Sequence, residues 1–215
     1  MSKYNLILDD RARDAYEPII QEMFKITPEM MSRKIPRANV QQAFSLETIR
    51  GLLSGKSPSE SKLLCVGSHE DTCCDSLIKL GYDVVEVEPV KNYDLETYYN
   101  LAETAKESFD VVFSVSVIEH VEKDMEFLEQ SIDLIKPGGH GVFTMDFCPD
   151  RLVRMGGNFQ FYNLQDMNER VLPLLESKGC ILLDDPDWNC TDPDFEHQGT
   201  KYTFATLVFR KDFKQ

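Results

Sequence analysis

Four positions in this 215-residue chain combine residue type and spacing in a way that could hold a nucleotide and move a proton: Gly67, Glu88, Ser116 and His120. Gly67 closes the apolar run Lys62 to Gly67 and precedes Ser68-His69-Glu70-Asp71. A glycine there lets the backbone approach a ligand, with amides free where a helix begins; a plain tight turn is the ordinary alternative. Glu88 ends the run Asp83 to Glu88 and stands 21 positions after Gly67, near the offset of about 20 at which an acid meets a ribose. A carboxylate in that place accepts hydrogen bonds from both vicinal hydroxyls. Glu86 points the same way and competes with it, and a surface acid is the bland account of either. His120 has the side chain best suited to a general base near neutral pH, with His69 as the second candidate. His140 precedes a strand, so it belongs at the other end of the sheet and reads as structural.

Elements must place these residues. The first sixty residues read as helical, with Thr27-Pro28-Glu29 as one helix start and Ser45 as the cap of a second helix that Gly55 ends. Residues 57–61 form a linker. Strands are then expected at Lys62 to Gly67, Asp83 to Glu88, Asp110 to Ser116, Gly141 to Phe147, Cys180 to Asp185 and Tyr202 to Arg210. Helices are expected between most of them, at Asp71 to Leu80, Leu95 to Lys106, Asp124 to Ile135 and around Leu164 to Leu174, the last kinked at Pro173. Strand–helix alternation predicts a mostly parallel sheet covered on both faces, and the two last strands, with no helix between them, predict an antiparallel end. The fold class is therefore α/β: a Rossmann-like, doubly wound, six- or seven-stranded sheet with an antiparallel last strand and amino-terminal helices. One domain over 1–215 is expected, with a helical extension at 1–60 and the core at 62–210.

In such a sheet ligands lie beyond the carboxyl ends of the strands. That selects the loops Gly67 to Asp71, Glu88 to Tyr93, Ser116 to His120, Phe147 to Tyr162 and Asp185 to Lys201. The last two supply the substrate-side candidates Asp146, Tyr162, Asp187, Trp188 and His197. The acids of the last loop could hold a divalent cation, but no metal-loop spacing is present, and solvated acids are the expected account.

The charge narrows the partners. With 23 Lys and Arg against 37 Asp and Glu the formal charge is −14, which repels phosphate backbones and anionic lipid heads; no nucleic-acid or membrane partner is expected. The amino terminus turns acidic before an apolar stretch of signal-peptide length forms, which points to the cytoplasm. Six cysteines with no CxxC pair read as small apolar residues in a reducing compartment.

The segment Phe109-Asp110-Val111-Val112-Phe113-Ser114-Val115-Ser116-Val117-Ile118-Glu119-His120-Val121 resembles the fourth strand and following loop of the class I S-adenosylmethionine-dependent methyltransferases, and Leu134-Ile135-Lys136-Pro137-Gly138-Gly139 resembles the turn into their fifth strand. The likeness covers roughly residues 63–210. The first loop departs from the family pattern: of acidic-x-Gly-x-Gly-x-Gly, only Gly67 remains, with Cys65, His69 and Asp71 at the other places. The chain between Glu88 and Asp110 is also too short for the family's third strand between two helices.

The resemblance implies S-adenosylmethionine as cofactor. Gly67, Ser68 and His69 would lie against its methionine part, Glu88 would hold the ribose, Pro89 and Val90 would border adenine, and Ser116 and Val117 would meet the methionine end. It implies methyl transfer to a small metabolite or a glycan precursor, a hydroxyl being the expected acceptor atom. Two rivals stay open: a non-catalytic S-adenosylmethionine-binding or scaffolding protein, and an NAD-type dinucleotide-binding oxidoreductase.

Overall fold

The apolar runs lie side by side as one sheet in the computed structural model, which describes residues 3–150 and 159–213. The strands are β1 (Lys62–Val66), β2 (Asp83–Val87), β3 (Phe109–Val115), β4 (Ile135–Phe147), β5 (Cys180–Leu182), β6 (Phe195–His197) and β7 (Thr200–Lys211). They form a seven-stranded sheet in the order β2-β1-β3-β4-β7-β5, with β6 paired only to β7. β2, β1, β3 and β4 run parallel, whereas β7 is antiparallel to β4, β5 and β6. The carboxyl ends of β1 to β4 therefore share one rim. Among the described residues no strand lies outside β2, as the short chain between Glu88 and Asp110 implies.

Side chains alternate across a strand, so each central strand feeds two cores. Leu64, Val66 and Val112 face α6 (Asp124–Leu134) and the helical run after Asn163, while Leu63, Cys65, Val111 and Phe113 face α1 (Asp10–Ile26), α3 (Asn39–Leu52) and α4 (Thr72–Lys79). This double cover is why β1 and β3 are apolar almost throughout.

The amino-terminal helices are thus half of the sandwich. Ahead of them, buried Asn5 pairs with β7 through its side chain: Oδ1 accepts from Val208 N–H at 2.7 Å and Nδ2 donates to Val208 C=O at 3.1 Å. Leu6 and Ile7 bridge to Asp187 and Ala205. A strand-like segment therefore stands where only helix was expected.

Other boundaries move for local reasons. Ser45 caps nothing; it is buried inside α3, which starts at Asn39 because Val40, Ala43 and Phe44 already carry the helical apolar period. Thr27 precedes the single turn α2 (Pro28–Met31), and its hydroxyl binds Asp75 instead of that turn. The expected helix from Leu95 to Lys106 is α5 (Leu95–Asn100) alone, stopped where the Thr104 hydroxyl takes the Tyr98 carbonyl at 2.6 Å. Lys136 to Gly139 is the start of β4, with a break of register against Phe109 and Val111, where a turn was expected. Pro173 follows a π-helical stretch (Met167–Val171) between α7 (Leu164–Asp166) and α8 (Leu172–Ser177). A proline has no N–H to give the preceding turn, and the widened turn absorbs that loss. β5 is shorter than expected, β6 was not foreseen, and all six cysteines are free.

Candidate functional site

The turn after β1 is held from both sides. Gly67 has φ +85°, and a Cβ there would collide with the Val117 side chain; this position needs glycine. Its N–H donates to Val87 C=O at 2.8 Å, tying the loop to the end of β2. Ser116, just past β3, holds φ +52°, an uncommon state for a residue with a Cβ. Its backbone N–H donates to Thr144 C=O at 3.1 Å, and its hydroxyl donates to Gln41 Oε1 at 2.6 Å. The same Gln41 oxygen accepts from Thr144 at 2.7 Å. One buried glutamine on α3 thus fixes the two central strand ends.

Glu88 and Glu86, one face of β2 by alternation, meet different fates. Glu88 is buried, and its oxygens accept from the backbone N–H of His69 at 3.0 Å and of Val90 at 3.1 Å. Glu86 is spent on an ion pair with Lys91, whose ammonium also reaches the Ser68 carbonyl and hydroxyl.

These elements enclose two adjoining cavities. The larger, about 450 Å³, has Glu88 on one wall and an apolar patch of Pro89, Leu95, Val121 and Phe127 around it; His120 stands at its edge. The smaller, about 300 Å³, lies toward α3 and β7 and is more polar, with Asn39, Gln41, Gln42 and Asp71 beside Tyr202 and Phe204. Gly67, His69, Ser116 and Val117 line both, so the two meet at that waist.

Partial desolvation of its ring holds the His120 imidazole below its usual pKa although the residue is exposed, so it is a neutral base at pH 7. Its ring centroid lies 5.0 Å from that of Phe159, which stands 5.5 Å from that of His197. Beneath this patch Glu119 is fully buried and Asp146 nearly so. Burial and then the neighbouring Asp146 keep the Glu119 carboxyl protonated well above its usual range, and burial pushes Asp146 up to about 7. Two carboxyls so close in a dry place cannot both ionise cheaply. Among the described residues, no three His, Cys, Asp or Glu side chains group as metal ligands would, and no helix is long and apolar enough to cross a membrane.

Of the residues expected at the cofactor, Gly67, His69, Glu88, Pro89, Ser116 and Val117 line the larger cavity together with His120. Ser68 and Val90 do not. The Ser68 hydroxyl is turned to Lys91, and Val90 stands 75% exposed, contributing its N–H to Glu88. The substrate-side set separates. Tyr162 is buried, with its hydroxyl donating to Asp124 at 2.8 Å. Trp188, expected on the substrate side, is in the core, and its indole N–H donates to Thr206 C=O at 2.9 Å; Asp187 sits beside it, against Asn5. Asp187 and His197 are both exposed, and of the two it is His197 that joins the ring patch beside His120, through Phe159. Residues 151–158 of the expected loop Phe147 to Tyr162 lie outside the described residues. Asn39, Gln41, Gln42 and Leu95 were missed. The one signal in the sequence is three amides, Asn39, Gln41 and Gln42, crowded into the first turn of a helix with an apolar period.

Residues 37–203 match the family model described as a methyltransferase domain. No curated protein matches the sequence. Among solved structures, TehB from Haemophilus influenzae aligns with TM-score 0.53 and 16% identity, over 78% of this chain and 61% of that one; the present chain thus spans less than two thirds of that relative. The 1,6-didemethyltoxoflavin-N1-methyltransferase from Burkholderia thailandensis, solved with 1,6-didemethyltoxoflavin and S-adenosylhomocysteine, aligns with TM-score 0.58 and 13% identity, over 93% and 90%. The [4+2]-cyclase SpnF aligns with TM-score 0.55 and 13% identity, over 95% and 96%. At such identities the structures show a shared fold and no shared substrate. The fold and the long match to the family model agree with the Ser116-to-His120 turn and the glycine after β1: the chain belongs to the methyltransferase-domain family, with the Rossmann-like class I fold.

Proposed function

We propose that this protein transfers a methyl group from S-adenosylmethionine to a hydroxyl of a small-molecule acceptor. The carrying observation is Glu88: a buried carboxylate on the wall of a 450 Å³ cavity, aligned by two backbone amides, across from Gly67 and the Ser116 turn. Each of its oxygens keeps a further lone pair, which suits two vicinal hydroxyls. Pro89, Leu95, Val121 and Phe127 offer apolar surface to a flat base. The volume lies in the range of small-ligand sites, roughly 300–1,000 Å³. These residues fit the adenosine half of the cofactor, and the waist at Gly67, His69 and Ser116 fits its sulfur end.

When bound, the cofactor would supply an electrophilic methyl on a sulfonium, and in-line attack of an acceptor lone pair on that methyl would release the thioether S-adenosylhomocysteine. The protein's part is alignment and exclusion of water. His120, neutral and at the edge of the cavity, is placed to take the hydroxyl proton on its free ring nitrogen; His69 at the waist is the second candidate. The acceptor side is the rim beside the waist, where the rings of His120, Phe159 and His197 lie together.

Calorimetry with S-adenosylmethionine, S-adenosylhomocysteine and NAD tests this reading. Either sulfur compound should bind with a dissociation constant of roughly 1–100 μM, and NAD should not. No heat and no thermal shift with either at millimolar concentration would end the proposal. Binding of both without turnover on any acceptor would favour the non-catalytic rival, to which the single-glycine loop and the His69 side chain in it lend support.

A further inference from the structure

Aromatic rings form a continuous band that joins the edge of the larger cavity to the wall of the smaller one. Phe159 stands near its outer end, with its ring centroid 5.0 Å from that of His120, 5.5 Å from His197 and 4.8 Å from Phe161. Phe161 is buried and meets Phe159 edge-on, at 84°, which fixes the plane of the outer ring. Behind it Tyr202, 5.0 Å from Phe161, lines the smaller cavity, while His120 lines the larger. A packing cluster would bury its rings. Here His120 and His197 are exposed, and Phe159 is only half-buried.

Chemistry sets what such a surface takes. Ring faces and edges attract another flat ring beyond the area they cover. Among these three outer rings the polar atoms are imidazole nitrogens. Farther along the band Arg13 and Arg37 lie over the Phe195 ring, but both are paired with Asp194, so neither is left to hold a phosphate or a carboxylate. The net charge of −14 repels such groups as well. The base narrows the acceptor atom further. Desolvation holds His120 below 6.5, a poor match for an aliphatic hydroxyl, which is about as weak an acid as water at roughly 15.7. A phenol loses its proton near roughly 10, which brings the transfer closer to the reach of an imidazole.

We infer that the acceptor is a phenol, whose flat ring lies against Phe159 beside His120 and His197 and whose hydroxyl reaches past His120 to the waist at Gly67 and Ser116. This rests on the methyltransferase reading and names the substrate class of that same site. The aryl oxygen gives its proton to a His120 ring nitrogen and takes the methyl, whose bond to sulfur breaks with the electron pair left on S-adenosylhomocysteine. Phe159 and His197 are specificity residues with no part in the proton transfer.

The test uses three probes of one size: 4-ethylphenol, 4-ethylcyclohexanol, whose ring is not flat, and ethylbenzene, which lacks the hydroxyl. Protein loaded with S-adenosylhomocysteine should bind 4-ethylphenol about two- to tenfold more tightly than 4-ethylcyclohexanol, the range of an aromatic pair. Phe159→Leu and His197→Leu, apolar but not flat, should each shrink that preference; the second replaces an exposed residue and serves if the first variant does not fold. His120→Phe keeps a ring and removes the nitrogens, so the affinity ratio of 4-ethylphenol to ethylbenzene should fall about two- to tenfold, the range of one neutral hydrogen bond. Equal binding of the phenol and the cyclohexanol would overturn the proposal, as would a preference untouched by the leucine variants or a ratio unchanged in His120→Phe. Where S-adenosylhomocysteine binds and these differences are missing, the phenol proposal falls alone. If S-adenosylhomocysteine does not bind the unmodified protein, the methyltransferase reading fails, and the ring preference measured on the ligand-free protein decides the aromatic band by itself.

Discussion

Glu86 and Glu88 are the same side chain two residues apart on one strand, and their surroundings give them different work. Lys91 already neutralises Glu86 outside the cavity, whereas Glu88 is buried on the cavity wall. Glu88→Ala should therefore weaken S-adenosylhomocysteine binding by about 10- to 150-fold, the range for hydrogen bonds to a charged group, and Glu86→Ala should stay within about threefold, an exposed pair being worth little. Equal losses by calorimetry would place the ribose elsewhere. A second pair of acids concerns stability. The Asp146 carboxyl is raised from 3.8 to about 7 in the folded protein, through burial first. Between those values the unfolded chain has released its proton and the folded one has not, so the group lowers stability as pH rises through that window and the loss is complete above it. Glu119, raised in the same direction, prolongs the effect. Glu119→Gln removes one acid and offers Asp146 an amide donor. Its melting temperature relative to the parent should rise between pH 5 and pH 8; an offset that is the same at both would show that the pair does not share its charge problem.

Elements decide which of these residues could be found without coordinates. β1 and β3 are buried on both faces, so their runs of Leu, Val and Phe stand out in the sequence, and the turns that follow them, with Gly67 and Ser116, come with them. β6 is three residues, Phe195 half-buried and Glu196 and His197 exposed, pairing only with β7, and Phe-Glu-His has no alternation to notice. The face that α3 presents depends on how α1 and α4 pack against it, which no local period encodes; Asn39 and Gln41 look like surface amides until the helix is docked. Trp188 misled for a related reason. Its neighbours in sequence are acids and prolines, but its indole is held by Thr206 of β7 and shares a core cluster with Ile7, while the adjoining Asp187 pairs with Asn5 and Leu6. The connection between β5 and β7 therefore has two halves, an anchored one at Asp187 and Trp188 and a rim one at Phe195 and His197. Trp188→Phe should cost about 1–3 kcal/mol, chiefly by leaving the Thr206 carbonyl without its donor, and should leave S-adenosylhomocysteine affinity unchanged. Lost affinity at preserved stability would move the anchored half into the site.

At the scale of the molecule the question is whether the amino-terminal helices are an appendage or part of the domain, since the family match begins at residue 37. The core argues for the second. Leu8, Ile20, Met23 and Met31 are buried almost completely and share one cluster with Leu63, Val111 and Phe113 of the central strands. Each such side chain stabilises the fold by about 1.5–3 kcal/mol, so the four together contribute on the order of 6–12, as much as the whole net stability of an ordinary domain, about 5–15 kcal/mol. Removing them also uncovers part of the face of β1 and β3 that α3 and α4 share with them, and leaves Val208 without its pairing to Asn5. We therefore expect a fragment of residues 37–215 to accumulate as insoluble material or to melt without a cooperative transition, although it holds nearly everything that the cavities need. In the full chain the one tryptophan, Trp188, sits against the amino-terminal segment and reports on that junction. Its fluorescence and the far-ultraviolet circular dichroism should change at one temperature, as a single cooperative unit requires. A tryptophan transition well below the loss of helix and sheet, together with a soluble 37–215 fragment that still binds S-adenosylhomocysteine, would show that the helices dock onto a domain that is complete without them.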